Sequence, residues 1–193
     1  GETCAAGICT PHGMVLVPAG TFWRGCNPKK DKMCSSYPNE SPQTKVTLGA
    51  YFMDLTEVTQ AAYAKCKAQG ACTAPAQSGN PYCDWDSATG KFKPGSDQRP
   101  VNCVSRAQAA AFCKWRGAEF SLPSENQWEY AARGSCEMNG SIPDAACSQA
   151  MRTYPWGEET ATCSYCILYE GPGSCGVYGA AVVGSLPAGD SPY

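Results

Sequence analysis

The chain has 193 residues, 43% of them hydrophobic, and a formal net charge of −2 at pH 7. This length allows one domain with a substantial core, and the net charge excludes the basic surface of a nucleic-acid-binding protein. Since no apolar run approaches the ~20 residues that span a bilayer, we expect no membrane span. Fourteen cysteines beside a single histidine favour disulfides over a metal centre and indicate a secreted, extracellular or periplasmic location.

The beginning of the chain predicts a short lead followed by strands. Residues 1–12 are rich in turn-forming residues and contain Cys4 and Cys9, so we expect a cysteine-containing lead ahead of one domain over residues 13–193. Two stretches rich in β-branched and aromatic residues predict strands, the first of them as a pair around a Pro-Ala-Gly turn. These stretches are residues 14–25 and 46–54.

Three short helices are predicted from the residues that would cap them. Thr59, Ser105 and Ser124 each offer a side-chain oxygen to the first turn of a helix. Both serines are followed three residues later by glutamine, as in a capping box. Gly117 and Gly134 are placed to close the second and third helices in the left-handed conformation. The first helix is predicted from Gln60 to about Ala68, and the other two are predicted to begin at Arg106 and Glu125.

Apolar residues at helical spacing predict the buried faces of the second and third helices. Ala109, Phe112 and Cys113 form one stripe, and Trp128 forms another with Ala131 and Ala132. We therefore expect both stripes, Trp128 included, to lie in the core.

Two long loops separate the predicted elements, residues 73–98 and 135–153. Loops of this length are usually functional or mobile. Residues 84–90 resemble a calcium-binding loop in part, but their turn-forming pairs favour the tip of a hairpin. Residues 182–185 predict one more short strand. Two pairs of cysteines lie close enough in sequence for local disulfides, Cys26 with Cys34 and Cys66 with Cys72.

Few residues of the chain indicate catalysis by their type. His12 lies in the turn-rich lead, where a surface histidine is favoured over a general base. Cys163 and Cys166 have C-x-x-C spacing, but they lie in a glycine-rich loop rather than at a helix start, so activation of a thiolate is unsupported. Residues 171–176 are rich in glycine but lack the lysine and the strand-to-helix context of a phosphate loop.

Five sequence blocks follow one another in a distinctive order between residues 14 and 157. They are M-V-L-V-P-A-G-T-F-W-R-G, E-S-P-Q-T-K-V-T-L-G-A-Y-F-M-D-L-T-E-V-T-Q-A-A-Y, P-V-N-C-V-S, L-P-S-E-N-Q-W-E-Y-A-A-R-G and Y-P-W-G. In this order they resemble the formylglycine-generating enzymes, also called the sulfatase-modifying factor family, over about residues 14–193. The resemblance implies an α+β fold: an irregular relative of the C-type lectin fold, loop-rich and stapled by disulfides.

The resemblance also implies a chemistry, but in the family the residues that perform it belong to sequence blocks that this chain does not contain. Family members oxidise a cysteine of a nascent sulfatase to formylglycine with dioxygen and copper(I). Two cysteine thiolates that follow an R-G-G-S-W block hold the copper(I), and soft thiolates suit this ion. A G-N-V-W-E-W block helps to bind calcium. Neither block occurs in this sequence. We therefore expect an N-terminal part of the domain with no catalytic, cofactor-binding or metal-binding residue of its own, and copper and calcium only in the complete domain.

Cys113, and residues that depart from the family pattern, indicate which disulfide and which calcium site the complete domain would have. In some members the cysteine at this position pairs with one close to the C-terminus, so the resemblance implies a disulfide between Cys113 and a C-terminal fragment outside this chain. Arg106 replaces a usual aromatic residue. Residues 164–166 replace the region where the family often offers an asparagine to calcium, which argues against a calcium site in this part.

Two functions of different classes agree with these observations. The first is a secreted sulfatase-modifying-factor-like domain, not competent in this chain alone, whose partner would be a sulfatase-like protein or peptide. The alternative is a non-catalytic extracellular binding or structural module on a C-type-lectin-like scaffold, with a protein, peptide or glycan as its ligand. The long loops and three aromatic residues of exposed type, Tyr82, Trp85 and Tyr165, favour the alternative.

Overall fold

Short strands and helices alternate with long loops along the chain, so the fold has the mixed α+β, loop-rich character that the sequence predicts. The computed structural model describes residues 3–5, 8–36, 38–75, 82–139, 143–168, 175 and 179–193. Its strands are β1 (Thr3–Ala5), β2 (Ile8–Thr10), β3 (Met14–Val17), β4 (Gly20–Arg24), β5 (Thr44–Leu48), β6 (Tyr51–Asp54), β7 (Trp85–Asp86) and β8 (Lys91–Phe92). Its α-helices are α1 (Gln60–Ala68), α2 (Arg106–Arg116), α3 (Glu125–Arg133) and α4 (Asp144–Ala150).

The described strands pair into antiparallel sheets of two strands each. β1 pairs with β2 and β7 with β8, while β3 pairs with β6 and β4 with β5. The consecutive strands β3 and β4, both predicted, therefore have different partners. The single strand predicted over residues 46–54 is instead two strands, divided at Gly49 and Ala50, because its halves join different sheets.

The caps predicted for the first three helices are confirmed. Thr59 Oγ1 accepts a hydrogen bond from the backbone of Ala62 at the start of α1. Ser105 Oγ accepts from the Gln108 backbone at 3.2 Å, and the Gln108 side chain accepts from the Ser105 backbone at 2.8 Å. The same reciprocal pair joins Ser124 to Gln127. Each box satisfies two amides that the first turn leaves without a helical partner.

Three expectations about the secondary structure are wrong. Gly134 takes a positive φ of 79°, but Gly117 has a φ of 160°, which is extended, so it does not close α2 in the left-handed conformation. Residues 182–185 form a turn rather than a strand. α4 lies inside the loop predicted over residues 135–153; Pro143 precedes it without a side-chain cap, so the sequence lacked a start signal.

The chain folds into two compact units, each made of segments that are distant in sequence. The first unit comprises Gly1–Leu55, Pro123–Cys166 and Leu186–Tyr193, and the second comprises Thr56–Leu122 and Ile167–Ser185. A separate lead over residues 1–12 stays a prediction.

The core of the first unit forms around Tyr130 of α3. The Tyr130 ring is fully buried and lies 5.3 Å from the ring of Phe22 in an edge-to-face arrangement, and its hydroxyl donates to the carbonyl of Pro18. Trp128 is 64% exposed, so its predicted place in the core is wrong. Residues two apart point about 200° away from each other around a helix; burying Tyr130 therefore turns Trp128 outwards.

The core of the second unit joins α1 to α2. The ring of Tyr63 stacks on that of Phe112 at 5.9 Å, and both side chains are buried. At the start of α1, the buried Gln60 side chain donates to Asp84 Oδ2 at 2.8 Å and accepts from the hydroxyl of Ser96. This network holds the start of the β7–β8 hairpin to α1.

The β7–β8 hairpin supports the turn interpretation of residues 84–90. The Asp86 carboxylate accepts hydrogen bonds from the Ala88 backbone and the Thr89 hydroxyl, each at 2.9 Å, so it is engaged in the hairpin turn. Trp85, expected to be exposed, is buried against Phe92 with the ring centroids 5.0 Å apart.

Disulfides staple both units, as the cysteine content predicts. The described pairs are Cys26–Cys34, Cys66–Cys72, Cys83–Cys103 and Cys136–Cys147, and Cys163 and Cys175 are also disulfide-bonded. The two local pairs expected from spacing are therefore confirmed. The side chains of Cys4 and Cys9, and residues 171–176 apart from Cys175, lie outside the described residues. Across the described helices, length and hydropathy fall short of what a membrane-crossing segment requires.

Candidate functional site

A cleft of about 560 Å³ opens in the first unit along the outer face of α3. Its lining includes the end of β4, the turn after it, and α3. Residues 39–42 and Thr44, just before and within β5, complete the cleft. No sequence pattern indicated this cleft, because its walls come from segments about 100 residues apart. We call it the α3 cleft.

An ion pair within α3 contributes to the lining of the cleft. Arg133 Nη1 donates to Glu129 Oε1 at 2.6 Å and to the carbonyl of Gly25 at 2.8 Å, and its Nε donates to the carbonyl of Arg152 at 2.8 Å. The Glu129 carboxylate also accepts from the Gly25 backbone at 2.8 Å. Both side chains are largely buried. Because the pair ties α3 to the end of β4, the turn after β4 is held rigidly against the helix.

A second ion pair joins Lys30, which lines the cleft, to Glu158. Lys30 Nζ lies 2.7 Å from Glu158 Oε1 and donates to the carbonyl of Met151 at 2.7 Å. The Glu158 carboxylate also accepts from the backbone and hydroxyl of Thr153. Burial raises the pKa of Glu158, but the hydrogen bonds from Lys30 and Thr153 outweigh burial and leave that pKa below its ordinary value. Glu158 is therefore held as a carboxylate.

The rim of the cleft is more open to solvent and combines an aromatic ring with charges. Trp128 presents its indole there at 64% exposure. Glu125, one turn earlier on α3, and Glu40, just before β5, also line the cleft and are exposed. Arg24 Nη1 lies 4.0 Å from Glu125 Oε2 and donates to Asn126 Oδ1 at 3.0 Å. The arrangement is suited to binding rather than to acid–base chemistry, since its most deeply placed charges are already paired.

The other residues considered from the sequence are placed as follows. His12 is exposed, in line with a surface histidine. Tyr82 is 70% exposed, as expected. Tyr165 stacks on Trp156 at 5.1 Å, and Trp156 stacks on Tyr154 at 5.0 Å, so these three aromatic side chains form one stack.

Copper(I) does not fit the one group of three potential metal ligands that the described residues bring together. Among those residues, one set of three potential ligands lies within 4.8 Å of one another, Cys26, Asp31 and Cys34. Its two sulfur atoms are joined in a disulfide. A disulfide provides no thiolate, the ligand that copper(I) prefers, so we derive no chemical step through copper in this set.

Comparison with known proteins identifies the family. Residues 5–188 match the sulfatase-modifying factor enzyme 1-like domain. The formylglycine-generating enzyme of Bos taurus is 26% identical over 181 residues, 77% of this chain and 43% of that protein. The enzyme of the same name from Streptomyces coelicolor is 30% identical over 181 residues, 77% of this chain and 51% of that protein.

Two further matches concern activity and fold. The inactive C-alpha-formylglycine-generating enzyme 2 of Mus musculus is 38% identical over 82 residues, 40% of this chain and 21% of that protein. The structure of PvdO from Pseudomonas aeruginosa superposes with a TM-score of 0.64 at 23% identity, covering 92% of this chain and 65% of that one.

The match over residues 5–188 includes most of the chain, and the PvdO structure shares its fold. The chain therefore belongs to the sulfatase-modifying factor family and has the fold of formylglycine-generating enzymes, as the five sequence blocks implied. It spans about half the length of the curated relatives it matches.

Proposed function

We propose that this chain is the N-terminal scaffold of a secreted sulfatase-modifying-factor-like domain and does not oxidise cysteine by itself. The observation that carries the proposal is the family match over residues 5–188 in a chain that spans only 43% and 51% of the two formylglycine-generating enzymes compared above. In this proposal a C-terminal segment supplies the thiolates for copper(I) and the calcium ligands, and Cys113 forms its disulfide with that segment.

The disulfides support the proposed secreted location and the proposed inability of this chain to oxidise cysteine by itself. A chain stapled at this density suits an oxidising location, extracellular or periplasmic. Ten of its cysteines are held in disulfides, so none of these ten offers a thiolate to copper(I). The expected protein partner of the completed domain is a sulfatase-like polypeptide.

Oxygen consumption with copper(I) and a Cys-x-Pro-x-Arg peptide tests the proposal, with peptide mass reporting formylglycine. We expect no turnover from the chain alone. We expect turnover when the chain is co-expressed with a family C-terminal segment that carries the R-G-G-S-W block and its two cysteines. The enzyme of Streptomyces coelicolor is the positive control. Turnover by the chain alone, or none from the completed domain, would contradict the proposal.

A second candidate function is a non-catalytic extracellular binding module on a C-type-lectin-like scaffold. The similarity to an inactive relative and the open, aromatic-rimmed α3 cleft favour it. Peptide and glycan arrays probed with the chain distinguish the two functions. Specific binding of an array ligand, together with no turnover by the completed domain, would support the binding module. No binding to any array ligand, together with turnover, would reject it.

A further inference from the structure

One disulfide of the second unit differs from three others in how open it is to solvent. Of the eight cysteines in the four disulfides with assigned partners, seven are 7% exposed or less, and Cys103 alone is not buried. Its partner Cys83 is 3% exposed. Cys163 and Cys175, also disulfide-bonded, are not buried either. Because thiol–disulfide exchange requires a thiolate to reach a sulfur atom, Cys83–Cys103 is the most accessible of the four, from the side of Cys103.

The backbone of Cys103 is also unusual. Its φ is 58°, in the left-handed region that residues other than glycine rarely adopt. Cys175 has a similar φ of 55°, but the seven other cysteines of the four assigned disulfides have none in this region. Breaking the bridge removes one constraint on this conformation of Cys103. Both access and backbone strain therefore favour exchange at this disulfide.

Asn102 holds the two cysteines close together independently of their bridge. Its Oδ1 accepts from the backbone of Asp84 at 3.1 Å, and its Nδ2 donates to the carbonyl of Tyr82 at 2.8 Å. Tyr82 and Asp84 flank Cys83 in the chain, and Asn102 directly precedes Cys103. These bonds keep the two sulfur atoms near each other when the bridge is open, as a reversible exchange requires.

We propose that Cys83–Cys103 is a redox-exchanging disulfide whose co-reactant is a dithiol, the paired cysteines of a thiol–disulfide oxidoreductase. A thiolate of the dithiol attacks Cys103 Sγ, and Cys83 leaves as a thiolate. The second thiolate of the partner then displaces Cys103 and closes the partner's own disulfide. The two protons of the dithiol end on Cys83 and Cys103, so this bridge is reduced and the partner is oxidised.

The structural consequence of reduction lies at the start of α2. Cys103 lies two residues before Ser105, whose side chain caps that helix. Once the bridge is open, Cys103 is able to leave the left-handed region, which redirects the chain that enters the cap. We expect faster amide exchange over residues 101–106 in the reduced form. The buried stack of Tyr63 on Phe112 should keep α1 and the middle of α2 protected.

Graded reduction of the oxidised full chain with dithiothreitol, under native conditions, tests the proposal. An alkylating reagent stops the reaction, and peptide mass mapping reports which cysteines are labelled. We expect Cys83 and Cys103 to be labelled about tenfold faster than Cys66 and Cys72, the buried pair of the same unit, since access governs the rate of exchange. Near-UV circular dichroism and hydrogen exchange show whether the unit stays folded at this stage.

Asparagine variants test whether the bridge closes again. After the dithiol is replaced by oxidised glutathione, we expect N102A to re-form Cys83–Cys103 several-fold more slowly than wild type, because the two sulfur atoms are no longer held together. N126A removes the same side chain from α3 in the first unit and should re-form the bridge at the wild-type rate. N102D, which keeps the acceptor oxygen but loses the donor to Tyr82, replaces N102A if that variant does not fold.

Three results would overturn the proposal. The first is labelling of Cys83 and Cys103 no sooner than that of Cys66 and Cys72. The second is a first reduction step that unfolds the second unit, and the third is equal re-formation of the bridge in wild type and the Asn102 variant. The exchange requires neither copper nor dioxygen, so this result and the oxygen-consumption result can fail independently.

Discussion

Gly20, at the start of β4, lies where the neighbouring side chains leave no space for a Cβ atom. A Cβ at this position would lie 2.5 Å from the Tyr130 hydroxyl oxygen and 2.6 Å from Glu137 Oε2. Both groups are already engaged, since Tyr130 donates to Pro18 and the Glu137 carboxylate accepts from the backbone of Thr21 at 3.0 and 3.1 Å. The need for glycine here is therefore one of space.

We expect G20A to lower the free energy of unfolding by about 1–3 kcal/mol, because the new methyl group forces these two side chains apart. Urea denaturation measures the change. G49A is the matched control: a Cβ there meets nothing within 4 Å, so that variant should be neutral or more stable by up to ~1 kcal/mol. Equal stability of the two variants would refute the steric argument.

Glu158 makes a pH-dependent contribution whose sign follows from its lowered pKa. A carboxyl whose pKa is lower in the folded state stabilises the fold above its unfolded pKa, and this stabilisation is lost as pH falls through the folded value. We expect E158Q to be about 0.2–1 kcal/mol less stable than wild type at neutral pH. The gap should close in acid, below the ordinary glutamate value of 4.5. Urea midpoints across this range provide the measurement, and a constant gap would contradict it.

The helices begin with local signals that can be tested one at a time. Ser124 and Gln127 exchange hydrogen bonds at the start of α3, and α3 carries both the core residue Tyr130 and the cleft residue Trp128. Since this helix connects the core to the cleft, its first turn matters to both.

We expect S124A to lower the free energy of unfolding by about 1 kcal/mol through loss of the cap. Ser121, an exposed serine just before α3, provides the control, because S121A removes a hydroxyl with no capping bond and should change stability by less than about 0.5 kcal/mol. Thermal melts compare them, and equal losses would argue against the cap.

Features encoded locally were predictable from the sequence, and those that depend on distant segments were not. Ser105 with Gln108 and the Cys26–Cys34 pair lie within a few residues of each other, so spacing alone indicated them. The exposure of Trp128 depends on which side of α3 meets β4, and helical spacing cannot decide that. The α3 cleft likewise depends on the bond from Arg133 to the carbonyl of Gly25, 108 residues earlier. The family resemblance indicated the fold but not this site.

At the scale of the whole molecule, the described disulfides with assigned partners each lie inside one unit. In the second unit, Cys83–Cys103 spans 20 residues and Cys66–Cys72 spans 6. A longer closed loop removes more entropy from the unfolded chain. The two bridges therefore offer a comparison within one compact unit.

We expect C83A/C103A to lower the free energy of unfolding by about 3 kcal/mol and C66A/C72A by about 2 kcal/mol, because the entropy lost on loop closure rises with the logarithm of loop length. Urea denaturation of the oxidised proteins measures both, and the same number of cysteines is replaced in each. A larger loss for the shorter loop would show that packing around Cys66 dominates over chain entropy.

Many long-range bonds of the first unit end on backbone atoms. Arg133 reaches the carbonyls of Gly25 and Arg152, Glu137 reaches the amide of Thr21, and Tyr130 reaches the carbonyl of Pro18. Every amino acid supplies the carbonyl, and every one except proline the amide, so these bonds place little demand on the identity of the receiving residue. Paired substitutions across homologous sequences should therefore miss these contacts, even though the contacts hold the unit together. Such constraints, which fix only one of the two residues, are consistent with a fold shared with the PvdO structure at 23% sequence identity.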